Sequence, residues 1–298
     1  MQDITIYEVG PRDGFQNQKE YIPAENKIKL IDALVKSGIT HLQVTSFMSP
    51  KAIPQMTDAS YVAEYCVNKY PDLTLSALVP NMHGAVNAWN SGLRRIFYVS
   101  SLSETHNLKN IRRTHETSME EFNSIRSQYP DFHITLDLAT AFGCPFEGKS
   151  SPDSLVKFLE SYVEAGINEV DLCDTIGIAN PRQVREVISL VRKEFPHLPL
   201  QIHIHDTRNM GMVNTLAAIE EGITTVQSTL GGLGGCPFAP GASGNLSTED
   251  LVFMLNSMAY RTGVASDKIL SAARLEKELL PDGNYSGHLI NITAQQCI

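Results

Sequence analysis

Short β-branched or apolar runs alternate with longer stretches of helical spacing from one end of this chain to the other. Eight runs have the length and composition of strands: Ile4–Glu8, Leu42–Ser46, Leu73–Val79, Arg95–Ser100, Phe132–Leu138, Glu169–Cys173, Leu200–His205 and Thr225–Thr229. The segments between them read as helices. In residues 151–167, Leu155, Phe158, Leu159 and Val163 share one face, Ser151 with Asp153 suits a helix start, and Gly166 stands where a C-terminal cap would.

Eight β-then-α units with no Pro/Gly/Ser-rich linker predict an α/β protein made of a single (β/α)8 barrel domain over residues 1–298. The barrel is expected over about 3–265, with a C-terminal extension of helix and loose end over about 266–298. An open doubly wound sheet has the same local pattern and is the competing architecture. The barrel makes a demand of its own: reactive side chains should follow the C-terminal ends of the strands.

Four polar clusters meet that demand. Glu8, Arg12, Asp13 and Gly14 follow the first strand; Gln43, Thr45 and Ser46 end the second; His203, His205 and Asp206 end the seventh. After the eighth comes GGLGGCPFAPGASGN, which contains Cys236 and Asn245. On a strand, residues i and i+2 face the same way, so His203 and His205 present two imidazoles side by side. With the Asp13 carboxylate they suit Mn, Mg, Zn or Fe(II), and Asn245 could add a neutral oxygen. The bland alternative is two strand-end histidines, one bonded to Asp206. Arg12 could face developing negative charge beside a metal held by Asp13, or form a surface ion pair. Cys236, on a glycine-rich loop able to act as a lid, could deliver a proton or be an ordinary small residue.

A formal charge of −9 gives no support to nucleic-acid binding, and no run approaches a membrane span. Five scattered cysteines without C-x-x-C, and an N-terminus that runs straight into a strand, suggest a reduced, cytoplasmic protein. Residues 143–150, GCPFEGKS, match the phosphate-loop pattern letter for letter. Such a loop works through successive backbone N–H donors; Pro145 has none, and Glu147 would set a carboxylate against the phosphates. Nucleotide hydrolysis is therefore set aside.

EVGPRDGFQN, TSFMSPKAIPQM, GCPFEGK, DTIG, HIHDT and GLGGCPFAPGASGNLSTED, in this order between Glu8 and about Met254, resemble the 3-hydroxy-3-methylglutaryl-CoA lyase family of the metal-dependent lyase and Claisen-condensing barrel superfamily. The resemblance implies a divalent cation, Mg or Mn, on Asp13, His203, His205 and Asn245. It also implies enolate stabilisation by Arg12, proton transfer involving Cys236, and a further residue important to activity at Asp174. The implied reaction is retro-Claisen cleavage of an acyl-CoA into acetoacetate and acetyl-CoA, with His203 or Asp13 as the base. Lys51, Lys109, Arg112 and Arg113 are candidates for the phosphates of the CoA thioester. Barrels of this type are often dimers, so a homodimer is expected, with no nucleic-acid or membrane partner.

Two positions depart from the family pattern. Gln43 stands where the family carries a catalytic glutamate, and glutamine cannot titrate. Asp137 falls at a place that is aromatic in some members. The pair favours a related 3-hydroxyacyl-CoA, such as citramalyl-CoA, as an alternative substrate. A condensing acyltransferase and a catalytically silent barrel are the more remote readings.

Overall fold

The computed structural model describes residues 2–235 and 244–292. Eight parallel strands, β1 (Thr5–Glu8), β2 (His41–Ser46), β3 (Thr74–Val79), β4 (Arg95–Ser101), β5 (His133–Ala139), β6 (Glu169–Asp174), β7 (Leu200–Ile204) and β8 (Thr225–Ser228), pair in chain order. β1 also pairs with β8, from Thr5↔Thr225 to Glu8↔Ser228, and this closes the sheet into a barrel. An open sheet would leave both strands at an edge, so the competing architecture is excluded.

Strand parity divides the side chains into two sets. Leu136, Leu138, Val170, Leu172, Ile202 and Ile204 face outward and join the main core under the helices. The inward positions alternate with them and are largely polar: Gln43, Ser76, Thr135, Asp171, Gln201, His203 and Gln227 are all buried. Buried polar groups of this kind must find partners within the barrel. Tyr7 Oη donates to Ser76 Oγ at 2.7 Å, and Gln227 Nε2 donates to Asp171 Oδ2 at 2.8 Å. β2 is bulged at Val44, between the pairs Gln43↔Ser76 and Thr45↔Ala77.

Among the described residues, ten α-helices surround the strands: α1 (Ala24–Ser37), α2 (Ala59–Lys69), α3 (Met82–Asn90), α4 (Glu104–Ile111), α5 (His115–Gln128), α6 (Pro152–Glu164), α7 (Pro181–Glu194), α8 (Gly211–Glu220), α9 (Thr248–Ser257) and α10 (Ser266–Leu279). Six of them start on a side chain that accepts the N–H three residues on: Asn81, Ser103, Thr114, Ser151, Asn180 and Ser247. On α6 the deepest apolar positions are Leu155, Leu159 and Tyr162; Tyr162, rather than Val163, reaches the Phe122 ring at 5.3 Å. The β4–β5 crossover holds two helices where one was expected. Arg112 at φ 59° ends α4 in the left-handed region, and Thr114 caps the start of α5. After β8, α9 covers the barrel, and α10 packs on α1 with Ile269, Ala272 and Ala273 buried.

Candidate active site

The polar residues meet at the C-terminal mouth of the barrel. A single π-helical turn, Gly10–Gly14, follows β1 and turns Arg12 and Asp13 inward, both buried. Glu8 fixes its approach. Its Oε1 accepts from Gly10 N at 2.7 Å and Leu230 N at 3.0 Å, and its Oε2 accepts from Thr248 Oγ1 at 2.6 Å. These bonds tie the ends of β1 and β8 to the start of α9. A Cβ at Gly10 would lie 2.5 Å from Glu8 Oε1, so only glycine fits there. Burial pushes the Glu8 carboxyl up to about 7, although the three donors pull the other way.

His203 ends β7, and His205 follows it in an isolated bridge with Asn245. One donor atom each from Asp13, His203 and His205 lie within 4.8 Å of one another, close enough for one cation to reach all three. His203 Nδ1 faces Gln227 Oε1 at 3.0 Å. A carbonyl oxygen only accepts, so Nδ1 carries the hydrogen and Nε2 keeps a lone pair. Burial holds both imidazoles below the usual histidine range, and therefore neutral, as a metal ligand must be. Asn245 Nδ2 donates to Asp13 Oδ2 at 2.6 Å, while Asn245 Oδ1 and His205 Nδ1 are buried without a hydrogen-bond partner. Two neutral imidazoles, a carboxylate and an orphaned amide oxygen fit a divalent cation.

Arg12 ties this group to the rest of the mouth. Its Nε donates to Gln43 Oε1, its NH1 to Asp13 Oδ1 at 2.6 Å, and its NH2 lies 3.9 Å from Asp137 Oδ2. Burial alone would raise the Asp13 carboxyl; Arg12, the two histidines and Asn245 together hold it below the usual carboxylate range. Gln43 Nε2 is buried with no partner. Asp137 faces the cavity, as its strand parity predicts, and accepts from Cys173 Sγ at 2.8 Å. Cys173 in turn lies 3.5 Å from Asp171 Oδ2, and Gln227 joins Asp171 to His203. Burial pushes the carboxyls of Asp137 and Asp171 up.

The cavity above these residues has a volume of about 320 Å³. Met48, Ile53, Leu78, Val99 and Ile111 supply its apolar side, and His106 joins it from α4. His106 Nδ1 lies 2.7 Å from Ser101 Oγ, and burial lowers its pKa to about 4. Cys173, Asp171, Gln227 and His106 were not singled out from sequence. For the first three the available signal was strand parity, which places them on the same inward face as Asp137 and His203.

Other predicted residues lie elsewhere. Asp174 has the opposite parity to Cys173: its two oxygens accept from Ile178 N and Ala179 N, each at 3.0 Å, and brace the β6–α7 loop away from the cavity. Arg113 donates to the Pro80 carbonyl and lies 3.3 Å from Glu121 Oε2. Arg112 is an exposed helix C-cap, and the exposed Lys109 ammonium sits 4.7 Å over the Phe146 ring. Lys51 is exposed beside Ala52 and Ile53, which line the cavity. Cys236 falls outside the described residues. Asp206 accepts from Gly211 N at 2.6 Å and so braces the start of α8. The phosphate-loop look-alike closes on itself through Cys144 N to Gly148 O at 2.8 Å and Gly148 N to Cys144 O at 2.9 Å. Its Glu147 carboxylate accepts from Thr105 N. These N–H groups are spent, as the presence of Pro145 and Glu147 led us to expect.

Comparison with known proteins agrees with this geometry. The HMGL-like family model matches residues 3–275. The chain is 41% identical over 277 residues to the hydroxymethylglutaryl-CoA lyase YngG of Bacillus subtilis (strain 168), covering 92% of each. It is 40% identical over 271 residues to the mitochondrial hydroxymethylglutaryl-CoA lyase of Homo sapiens, covering 90% of this chain and 83% of that one. A solved HMG-CoA lyase from Acinetobacter baumannii, in complex with coenzyme A and 3-methylmalate, superposes with a TM-score of 0.93 at 38% identity, covering 99% and 97% of the two chains. With a family model spanning the barrel and relatives this similar along nearly their whole length, the chain belongs to the HMGL-like family of carbon–carbon lyases.

Proposed function

We propose that this enzyme cleaves 3-hydroxy-3-methylglutaryl-CoA to acetoacetate and acetyl-CoA by a metal-dependent retro-Claisen reaction. The observation that carries the reading is the convergence of Asp13, His203 and His205, with the Arg12 guanidinium bonded to Asp13 at their edge. Asp13, His203, His205 and the Asn245 oxygen would hold the cation, Mg or Mn. When bound there, it lowers the pKa of the substrate's C3 hydroxyl and polarises its carbonyl oxygens.

The protein's own groups account for the remaining steps. Proton removal from the C3 hydroxyl is the role proposed for His203 or Asp13, both members of the group that would hold the cation. As the C2–C3 bond breaks, charge moves onto the thioester oxygen of the departing acetyl-CoA, and Arg12 faces that charge from a dry site. The enolate carbon then takes a proton, the role proposed for Cys236. The apolar side of the cavity keeps water from the enolate. Lys51 and Lys109, exposed near the cavity rim, are the side chains proposed for the CoA phosphates. No described helix is long and apolar enough to cross a membrane; a homodimer in the cytoplasm completes the reading.

The decisive experiment measures acetyl-CoA release from 3-hydroxy-3-methylglutaryl-CoA, with and without Mg or Mn, for wild type and Gln43→Glu. Rapid metal-dependent release by wild type is the expected result. A wild type that is inert while Gln43→Glu is active would keep the site but move the natural substrate to a related 3-hydroxyacyl-CoA, the reading favoured by Gln43 and Asp137.

A further inference from the structure

Bond cleavage at the mouth accounts for Arg12, Asp13 and the two histidines, but not for the acidic wall beside them. Asp137 lines the cavity from β5, and its two oxygens have different surroundings. Oδ1 receives the Cys173 thiol at 2.8 Å; Oδ2 faces Arg12 NH2 at 3.9 Å, beyond hydrogen-bond length. Arg12 has already committed Nε to Gln43 and NH1 to Asp13. Asp137 Oδ2 therefore keeps an unfilled acceptor position in the cavity. The wall continues behind it: Asp171 lies 3.5 Å from Cys173 Sγ, with its own Oδ1 buried and unpartnered.

The position of this wall decides what it can do. Arg12 touches Asp13 on one side and approaches Asp137 on the other, so Asp137 stands one guanidinium width from the metal-binding group. On the lyase reading, a substituent on the carbon held at that group would meet Asp137, which lines the same cavity. A bare methyl there would cover a carboxylate oxygen and give it no donor, which is unfavourable in a buried site. Leu78, Val99 and Ala139, also lining the cavity, are the surfaces that suit methylene groups.

We propose that Asp137, backed by Cys173 and Asp171, selects a 3-hydroxyacyl-CoA that carries a hydrogen-bond donor, a second hydroxyl or a protonated amine, where 3-hydroxy-3-methylglutaryl-CoA has its methyl. The proposal rests on the lyase reading and narrows its substrate class. 3-Hydroxy-3-methylglutaryl-CoA remains a substrate, but a poorer one.

The test uses a matched pair differing by one hydroxyl: 3-hydroxy-3-methylglutaryl-CoA and 3-hydroxy-3-(hydroxymethyl)glutaryl-CoA. The latter would yield acetyl-CoA and 4-hydroxy-3-oxobutanoate by the same cleavage. In wild type, kcat/KM for the hydroxymethyl thioester should exceed that for the methyl one by about tenfold or more, the discrimination set by one unmatched buried acceptor. Asp137→Ala should abolish or invert the ratio, and Asp137→Asn, the same size and able to bond Cys173, should reduce it. Equal use of the two thioesters by wild type would overturn the proposal and leave the lyase standing. A ratio unchanged in Asp137→Ala and Asp137→Asn would overturn it too, since a residue that merely steadies Arg12 slows both substrates by one factor. Cleavage of neither thioester with Mg or Mn present would overturn this proposal and the 3-hydroxy-3-methylglutaryl-CoA reading together, and leave a related 3-hydroxyacyl-CoA such as citramalyl-CoA to be tried.

Discussion

Replacing Glu8 by glutamine should remove a pH dependence from the stability of the whole barrel. Glu8 is fully buried, and three donors point at its carboxylate: Gly10 N, Leu230 N and Thr248 Oγ1. Those donors favour the charged form, and burial opposes it. Burial wins and sets the folded-state pKa at about 7 against an ordinary value of 4.5. Between these values the folded chain holds a proton that the unfolded chain has released. Stability therefore falls as pH rises from about 4.5 to about 7 and is level above that. At about 1.4 kcal/mol per pH unit, the 4.5-to-7 shift amounts to about 3 kcal/mol.

Glutamine keeps the shape and an acceptor oxygen for the two backbone N–H groups, and it does not titrate. Thr248 Oγ1, which also bonds Ser228 Oγ at 2.7 Å, can turn to accept from the new amide. The neighbouring acids Glu249 and Glu276 are also raised by burial, and Glu276 further by the Glu8 charge, so the difference between the two proteins includes that coupling. Urea unfolding followed by circular dichroism at pH 5 and pH 8, with EDTA to exclude metal linkage, measures the effect. Wild type should lose about 2–3 kcal/mol more than Glu8→Gln between the two pH values, since pH 5 lies just inside the titration window. Equal losses would refute the reasoning and mean that three hydrogen bonds fully offset the burial of this carboxylate.

Two further outcomes follow from the site. Gln227→Ala takes away the acceptor at His203 Nδ1 and frees the ring to turn; Mn affinity by titration calorimetry should fall about 10- to 100-fold, and an unchanged affinity would place Gln227 outside the metal-supporting set. Asp174→Ala strands the N–H groups of Ile178 and Ala179 in a buried loop and should cost about 2–4 kcal/mol in urea unfolding; a loss of activity with no loss of stability would return Asp174 to the chemistry.

The outward half of each strand is what the sequence made legible. Runs such as Ile202 and Ile204, or Leu136 and Leu138, face helices and carry the β-branched and apolar signal that marks a buried strand. Closure was legible only through the count of eight β-then-α units, because the β1–β8 pairing itself joins residues more than 200 positions apart. The inward half was read only in part, at His203 and His205 from their chemistry and at Gln43 and Asp137 as departures from the family pattern. Asp171 and Cys173 sit in a strand that reads as apolar, and their partners Asp137 and Gln227 lie 36 and 56 residues away. The Arg113 contact with Glu121, on the next helix, is likewise one that local spacing does not reveal.

The two departures from the family pattern meet at one guanidinium. Arg12 is nearly buried, so the carboxylates around it must share a single positive charge. Asp13 takes the short bond, and Asp137 draws on what remains from 3.9 Å. A third carboxylate at position 43 would lie against Nε of the same group and add like-charge repulsion in a site too dry to screen it. Glutamine satisfies Nε with a neutral oxygen and leaves the charge to the two aspartates. On this argument a neutral residue at 43 and an acidic one at 137 are not independent changes. An aspartate on β5 is tolerable because the side chain facing Arg12 from β2 carries no charge.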